Sequence, residues 1–312
     1  MSIKKIIAIQ ADPIEKINIK TDTTFLLALE AQKRNYKIYW YQTKDLHFIN
    51  SKLFVDAEEV KFYEKKKKYF KIIKKHKFNL SKAKYVLIRQ NPPFNMDYIT
   101  STLFLDTIKN KTKIINNPTS VRNISEKLFS INFLKFMPPT IFTKNIQEIK
   151  NFKNKYKKVV IKPIHGYAGK DILFLNGKFN LKKIKKYLKK FNHVMVQKFL
   201  PGITKGDKRV FIINGTVKGA IKRIPSKNSI LSNLSQGGKA FKTILNSREL
   251  NISNHVAKKL KKQNIFFAGI DLVSNYLIGD INVTSPTGLK NHYDLTGINL
   301  AVVFWNTLEK LK

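Results

Sequence analysis

Two apolar runs near the C-terminal end carry oxygen donors. Asp271 interrupts Phe266-Phe267-Ala268-Gly269-Ile270-Asp271-Leu272-Val273, and Asp280 and Asn282 stand two apart in the following run. Alternate residues of a strand point to one face, so Asp280 and Asn282 share a side. A carboxylate inside an apolar strand is costly unless it is paired or metal-bound. Carboxylate and amide oxygens suit magnesium, which also takes waters and phosphate oxygens. Only 20 of the 312 residues are acidic, so such a grouping stands out. The competing reading makes Asp280 and Asn282 capping residues of a turn.

Cations fall at matching places. Lys162 ends an apolar run before Pro163 and the loop His165-Gly166-Tyr167-Ala168-Gly169. A glycine-bearing loop after a strand can aim backbone N–H groups at phosphates, with Lys162 or Lys127 as countercharge. The spacing is neither a Walker A loop nor a dinucleotide fingerprint, and two glycines near a lysine also occur by chance. Val196-Gln197-Lys198-Phe199-Leu200-Pro201-Gly202 could edge an adenine pocket or be an ordinary buried strand running into a turn. Gly206-Asp207-Lys208-Arg209 and Lys222-Arg223-Ile224-Pro225 place cations near the ends of one hairpin, where they could converge on one anionic ligand or form an exposed basic surface. Arginine is scarce in this chain, and its planar fork binds carboxylates bidentately as lysine cannot.

The elements that must position these residues fall into two styles. Up to Pro118 the pattern alternates, with strands at 3–9, 36–41, 85–89 and 113–116 and helices at 23–34 and 97–108. This is the rhythm of a parallel α/β sheet. The basic run 65–77 reads as a solvated helix or loop face. Met137-Pro138-Pro139-Thr140 marks a linker or domain edge. Beyond it the reading is α+β. Strands are expected at 158–163, 172–175, 194–200, 267–273 and 277–283, helices at 178–191, 246–263 and 292–311, and a hairpin at 209–213 and 217–224 about Asn214-Gly215. The polar stretch 225–241, with Gly237-Gly238, reads as a long functional loop of the kind that forms lids.

Composition bounds the alternatives. Sixty basic against 20 acidic residues give a net charge of +40. Such an excess suits nucleic acid, anionic membranes or polyanionic substrates. Lys, Ile, Asn and Phe share AT-rich codons, and the excess is Lys-dominated and spread along the chain, which points to codon bias rather than a nucleic-acid partner. With no cysteine, disulfides, thiolate catalysis and Cys-based zinc sites are excluded. No apolar run approaches membrane-spanning length, so a cytoplasmic protein without a membrane partner is expected.

Taken in order, the segments resemble the bacterial glutathione synthetase family of the ATP-grasp superfamily. The resemblance runs through Asp12-Pro13-Ile14, Leu29-Glu30-Ala31-Gln32, Arg89 with Pro92-Pro93-Phe94, Asn117-Pro118 and Ser125-Glu126-Lys127-Leu128-Phe129. It continues through Gly206-Asp207-Lys208-Arg209-Val210, Arg223-Ile224-Pro225, Asn233-Leu234, Gly237-Gly238 and Asn282-Val283-Thr284-Ser285-Pro286-Thr287. It implies a substrate-binding pre-ATP-grasp domain at 1–122 and a two-lobed ATP-grasp domain at 123–312, with a central lobe at about 123–200 and a lid at 225–241. The implied reaction phosphorylates the C-terminal carboxylate of γ-glutamylcysteine with ATP. Glycine then attacks the acyl phosphate, giving glutathione, ADP and phosphate.

By position, the resemblance puts Lys127 and Lys162 on the nucleotide phosphates, with the loop of Gly166 and Gly169. It puts Gln197, Lys198, Phe199 and Leu200 around adenine and Asp207 at the ribose. Arg209 and Arg223 would hold substrate or acyl-phosphate oxygens, and Asn233, Gly237 and Gly238 would close over substrate. Asp280, Asn282 and Asp271 would ligate Mg²⁺ or Mn²⁺. A homo-oligomer is also implied. The chain departs from the family pattern in several places. Asp280 replaces the usual Glu, and one extra residue lies between it and Asp271. Leu231 and Lys239 stand where arginines are usual, and Gln90-Asn91 replaces Lys-Asp. These departures motivate a second reading, a related ATP-grasp ligase for another acid and amine. A third reading is a catalytically impaired, basic nucleic-acid-binding protein.

Overall fold

In the computed structural model, the described residues are 5–65, 68–167, 169–226, 232, 234 and 237–311. The first unit comprises β1 (Ile6–Gln10), α1 (Thr23–Lys33), β2 (Lys37–Tyr41), β3 (Leu46–Ile49), β4 (Lys52–Phe62), β5 (Phe70–Asn79), β6 (Tyr85–Ile88), α2 (Met96–Asp106), β7 (Lys113–Ile115) and α3 (Pro118–Asn123). Strands β2, β1, β6 and β7 lie side by side and parallel. Their residues are near-continuously apolar, as expected of strands covered on both faces. Antiparallel β4 extends this sheet and also pairs with β3 and β5.

The basic run therefore requires a correction. Its solvent exposure holds, since Lys71, Lys74, Lys75 and Lys77 are exposed, but from Phe70 it is a strand rather than a helix or loop. The partner strand explains this. Lys77, Lys75 and Lys74 of β5 sit opposite Asp56, Glu58 and Glu59 of β4, and Lys75 reaches Glu58 at 3.3 Å. Cross-strand pairs of opposite charge favour a ladder that the run alone does not reveal.

The second unit contains β8 (Thr140–Thr143), α4 (Ile146–Tyr156), β9 (Lys158–Pro163), β10 (Leu173–Asn176), α5 (Leu181–Phe191) and β11 (Val194–Lys198). Its antiparallel sheet runs β10-β9-β11-β8, and Ile149, Phe152 and Ile184 of the helices cover Val159, Ile161 and Val196. The Pro138-Pro139 punctuation is the entry to this sheet.

The third unit contains β12 (Asp207–Ile213), β13 (Thr216–Ile224), β14 (Lys239–Lys242), α6 (Ser247–Lys262), β15 (Phe267–Val273), β16 (Tyr276–Asn282), α7 (Leu289–Thr296) and α8 (Leu300–Glu309). Its antiparallel order is β14-β13-β12-β15-β16. Two further expectations need correction. The polar loop ends earlier than 241, because residues 239–242 pair with β13. The helix at 292–311 is two helices. Gly297 takes φ 74°, a left-handed conformation that closes α7, and the Asn299 side chain accepts from Ala301 N at 3.0 Å to start α8.

The units are tied together by buried polar contacts. Asn116, at the end of β7, donates to Phe267 O and Val283 O, both at 2.7 Å. It also accepts from Phe266 N at 2.9 Å and Phe267 N at 2.8 Å. Trp305 of α8 donates to Leu27 O of α1 at 2.9 Å. Among the described residues, no helix is long and apolar enough to cross a membrane. Truncating Asn116→Ala strands buried backbone donors and acceptors, which cost about 1–3 kcal/mol each when left unmade. A urea melt should show Asn116→Ala less stable than the native chain by at least that amount.

Candidate active site

A cleft of about 600 Å³ lies among the three units. The ends of β9 and β11 supply Lys162 and the stretch from Gln197 to Leu200. The five-stranded sheet supplies Asp207, Arg209, Arg223, Asp271, Asp280 and Asn282. Asn91 and Pro92 of the first unit also line it, with Ser285 and Thr287.

Strand alternation explains how polar groups reach this cleft from apolar strands. On β9, Val159 and Ile161 face the helices of the second unit, while Val160 and Lys162 line the cleft. On β12, Asp207 and Arg209 share a face with Phe211 and Ile213, which continue it into the core packed on α8.

Lys162 Nζ donates to Asp280 Oδ2 at 2.9 Å and to Ile278 O at 2.9 Å. Lys127 Nζ donates to Gly166 O at 2.6 Å and lies 3.5 Å from Asp280 Oδ1. Both lysines are buried. Burial alone would raise the Asp280 carboxyl, but Lys162 and Lys127 hold it well below the usual carboxylate range. Burial opposes the charge on Lys127, and Glu126 and Asp280 restore it, leaving its ammonium raised.

Beside this clamp runs a row of buried ion pairs. Asp207 lies opposite Arg223 in the ladder, and Arg209 lies opposite Asp271. Arg209 grips Asp271 with Nε to Oδ1 at 2.5 Å and Nη2 to Oδ2 at 2.9 Å. Arg223 bonds Asp207 with Nε at 2.8 Å and again with Nη2, and its Nη2 also lies 2.9 Å from Asp271 Oδ2. The two arginines meet on a carboxylate of the chain itself, Asp271. Burial opposes ionisation of Asp271, yet Arg209 and Arg223 keep its carboxyl low. Arg209 Nη1 is buried with no partner among the described residues, leaving a donor for a further acceptor.

The remaining positions are distributed as follows. Gln197 is buried and donates to Thr140 Oγ1 at 2.9 Å. The amides of Lys198 and Phe199 are taken by Pro139 O at 2.9 Å and Lys158 O at 3.0 Å. Phe199 packs against Phe174 with ring centroids 4.5 Å apart and the ring planes tilted by 40°. Gly166 and Gly169 line the cleft beside Tyr167 and Lys170. Asn282 Oδ1 accepts from Ser285 N at 3.2 Å. Gly237 takes φ 87°, and Gly238 leads into β14. Asn233, Leu231 and Ala168 lie outside the described residues.

Two further residues belong to the picture. Glu126 lines the cleft, and burial, with Asp280 and Asp271 nearby, pushes its carboxyl up against the pull of Lys127. Its signal was an acid adjoining Lys127 in an acid-poor chain. Buried Arg89 spans two units, with Nε donating to Thr24 Oγ1 at 3.0 Å and Nη2 to Pro286 O at 2.9 Å.

An antiparallel sheet carrying paired acids and cations, faced by a second sheet with a lysine and a glycine loop, defines a class: the ATP-grasp ligases. Solved structures of that class share the fold across the chain. D-cycloserine synthetase superposes with TM-score 0.68 at 14% identity, covering 98% of this chain and 100% of that one. D-alanyl-alanine synthetase A from Vibrio cholerae gives TM-score 0.60 at 12% identity, covering 99% and 100%. Residues 6–122 match the prokaryotic glutathione synthetase N-terminal domain, and residues 126–297 match the prokaryotic glutathione synthetase ATP-grasp domain. The glutathione synthetase of Bradyrhizobium diazoefficiens is 38% identical over 307 residues, covering 97% of this chain and 98% of that protein. That of Buchnera aphidicola subsp. Baizongia pistaciae is 37% identical over 305 residues, covering 96% and 94%. The chain belongs to the prokaryotic glutathione synthetase family, and its function is ATP-dependent ligation forming glutathione.

The ion-pair row generates a prediction. Asp271→Asn leaves two buried guanidinium groups short of their shared anion, and breaking a buried pair costs about 3–5 kcal/mol. A urea melt in EDTA, without nucleotide, should show that loss. A residue whose only task was to hold a metal would show none.

Proposed function

We propose that the cleft carries out this ligation as two transfers on one set of fixed charges. The observation that carries the reading is Asp280 clamped between Lys127 and Lys162 beside the arginine row. Among the described residues, six basic side chains line the cleft, Lys127, Lys162, Lys170, Lys198, Arg209 and Arg223, against the four acids Glu126, Asp207, Asp271 and Asp280, so it suits a polyphosphate. Lys127 and Lys162, with the loop of Gly166 and Gly169, hold the ATP phosphates. Gln197, Lys198, Phe199 and Leu200 border adenine, with Asp207 toward the ribose. A C-terminal carboxylate oxygen of γ-glutamylcysteine attacks the γ-phosphorus, and the bond to ADP breaks. The glycine amine then attacks the acyl carbon and loses a proton, and inorganic phosphate leaves. Arg209, through its unpartnered Nη1, and Arg223 steady the negative oxygens that develop in both steps.

The donor set fits a hard divalent cation. Lys162 and Lys127 hold the Asp280 carboxyl low, and the Asn282 amide oxygen, which caps the following turn by accepting from Ser285 N at 3.2 Å, lies on the same cleft. Asp271 already accepts three donors out of about four lone-pair sites, so it has room for one more contact. Asp280, Asn282 and Asp271 would hold Mg²⁺ or Mn²⁺ there, and the cation would supply positive charge to offset that of the phosphates.

The proposed division is a substrate domain at 1–122 and a catalytic domain at 123–312, with a central lobe at about 123–200. Residues 225–238, including Asn233, Gly237 and Gly238, act as the lid that excludes water from the acyl phosphate. Family membership further supports a cytoplasmic homo-oligomer with no nucleic-acid partner. The test is a coupled ADP-release assay with each component withheld in turn. ADP should form only with γ-glutamylcysteine, glycine and Mg²⁺ all present. ADP release that γ-glutamylcysteine does not stimulate would sink the reading.

A further inference from the structure

We infer that Gly279 is a positioning residue: it opens a bulge in β16 that carries the Asp280 carboxylate onto the two lysines. The inference rests on the reading of Asp280 as a metal–phosphate ligand. Between the pairs Ile270↔Ile281 and Leu272↔Leu277, β15 has one residue, Asp271, where β16 has three: Ile278, Gly279 and Asp280. A strand that takes up extra residues bends locally and re-aims its side chains. Gly279 makes this bend possible, with φ 85° in the left-handed region. Its bare Cα lies against other elements. A Cβ there would stand 2.4 Å from Met195 Cε, 3.1 Å from Met137 Cε and 3.2 Å from Ser130 Oγ.

The bulge is held at both sides. Its looped-out Ile278 carbonyl takes the same Lys162 ammonium that holds Asp280, each at 2.9 Å. Just beyond it, Ile281 N donates to Glu126 O at 3.2 Å, next to Lys127. One ammonium thus fixes bulge and carboxylate together. A short side chain on this displaced backbone and a longer one on an undisplaced backbone then reach the same place. The displaced backbone supplies the reach that the shorter side chain lacks.

The test compares Asp280→Glu, deletion of Gly279, and both together, reading binding of Mn²⁺ with ADP by electron paramagnetic resonance and calorimetry without substrate. Each single change should weaken binding by about tenfold or more, as misplacing a metal site's support does. The combined variant should return to near the native affinity, because the two changes cancel geometrically. Either of two results would overturn the inference: Asp280→Glu binding like the native chain on the intact bulge, or losses that simply add in the combined variant. If the deletion variant fails to fold, Gly279→Ala takes its place. The strain at its φ should weaken Mn²⁺–ADP binding about tenfold, and native affinity would overturn the inference. An Asp280→Asn control separates the two levels. Lost binding there, with no recovery in the combined variant, rejects the bulge alone, whereas unchanged binding in Asp280→Asn rejects the site assignment itself.

Discussion

A half-buried carboxylate between two buried ammonium groups sets the terms for the whole catalytic half. Burial works against an ionised Asp280, and Lys162 and Lys127 hold its carboxyl low; Lys127 in turn keeps its charge through Glu126 and Asp280. The three reach one another only because β9, β16 and the segment after α3 converge there. Separating any one of these elements would strand a charge, so the packing of two lobes is coupled to the electrostatics of the site.

The arginine row extends the same logic. Asp207, Arg223, Asp271 and Arg209 alternate in sign across β13, β12 and β15, so each charge meets a partner on the neighbouring strand. Buried pairs of this kind add little net stability over apolar residues, but they penalise any rearrangement that breaks them. Their contribution is fixed orientation. Donors aimed in advance at developing charge need no reorganisation during reaction. The surplus of cations remains for phosphate and carboxylate oxygens.

Much of this was legible in the sequence because strand periodicity is local. The same-face placement of Asp280 and Asn282, the hairpin about Asn214-Gly215 and the parallel core of the first unit follow from spacing alone. The family resemblance, founded on motifs such as Gly206-Asp207-Lys208-Arg209-Val210, was borne out by matches to both domains. What stayed hidden depends on partners distant in sequence. The basic run became a strand because of acids in β4, about twenty residues earlier. The convergence of Arg209 and Arg223 on Asp271 needed the register of three strands. Asn116 gave no signal, because the three residues it bonds lie 150 to 167 residues away. The extra residue before Asp280 was visible as a count, but the bulge that absorbs it was not.

The central claim is that these fixed charges pass a phosphoryl group to the substrate carboxylate before the amine attacks. Turnover of γ-glutamylcysteine labelled with heavy oxygen in its C-terminal carboxylate, followed by mass analysis of the released phosphate, tests it directly. The account predicts one labelled oxygen in each phosphate, carried over when the amine displaces it from the acyl carbon. Phosphate free of label, formed at the same rate as glutathione, would contradict it.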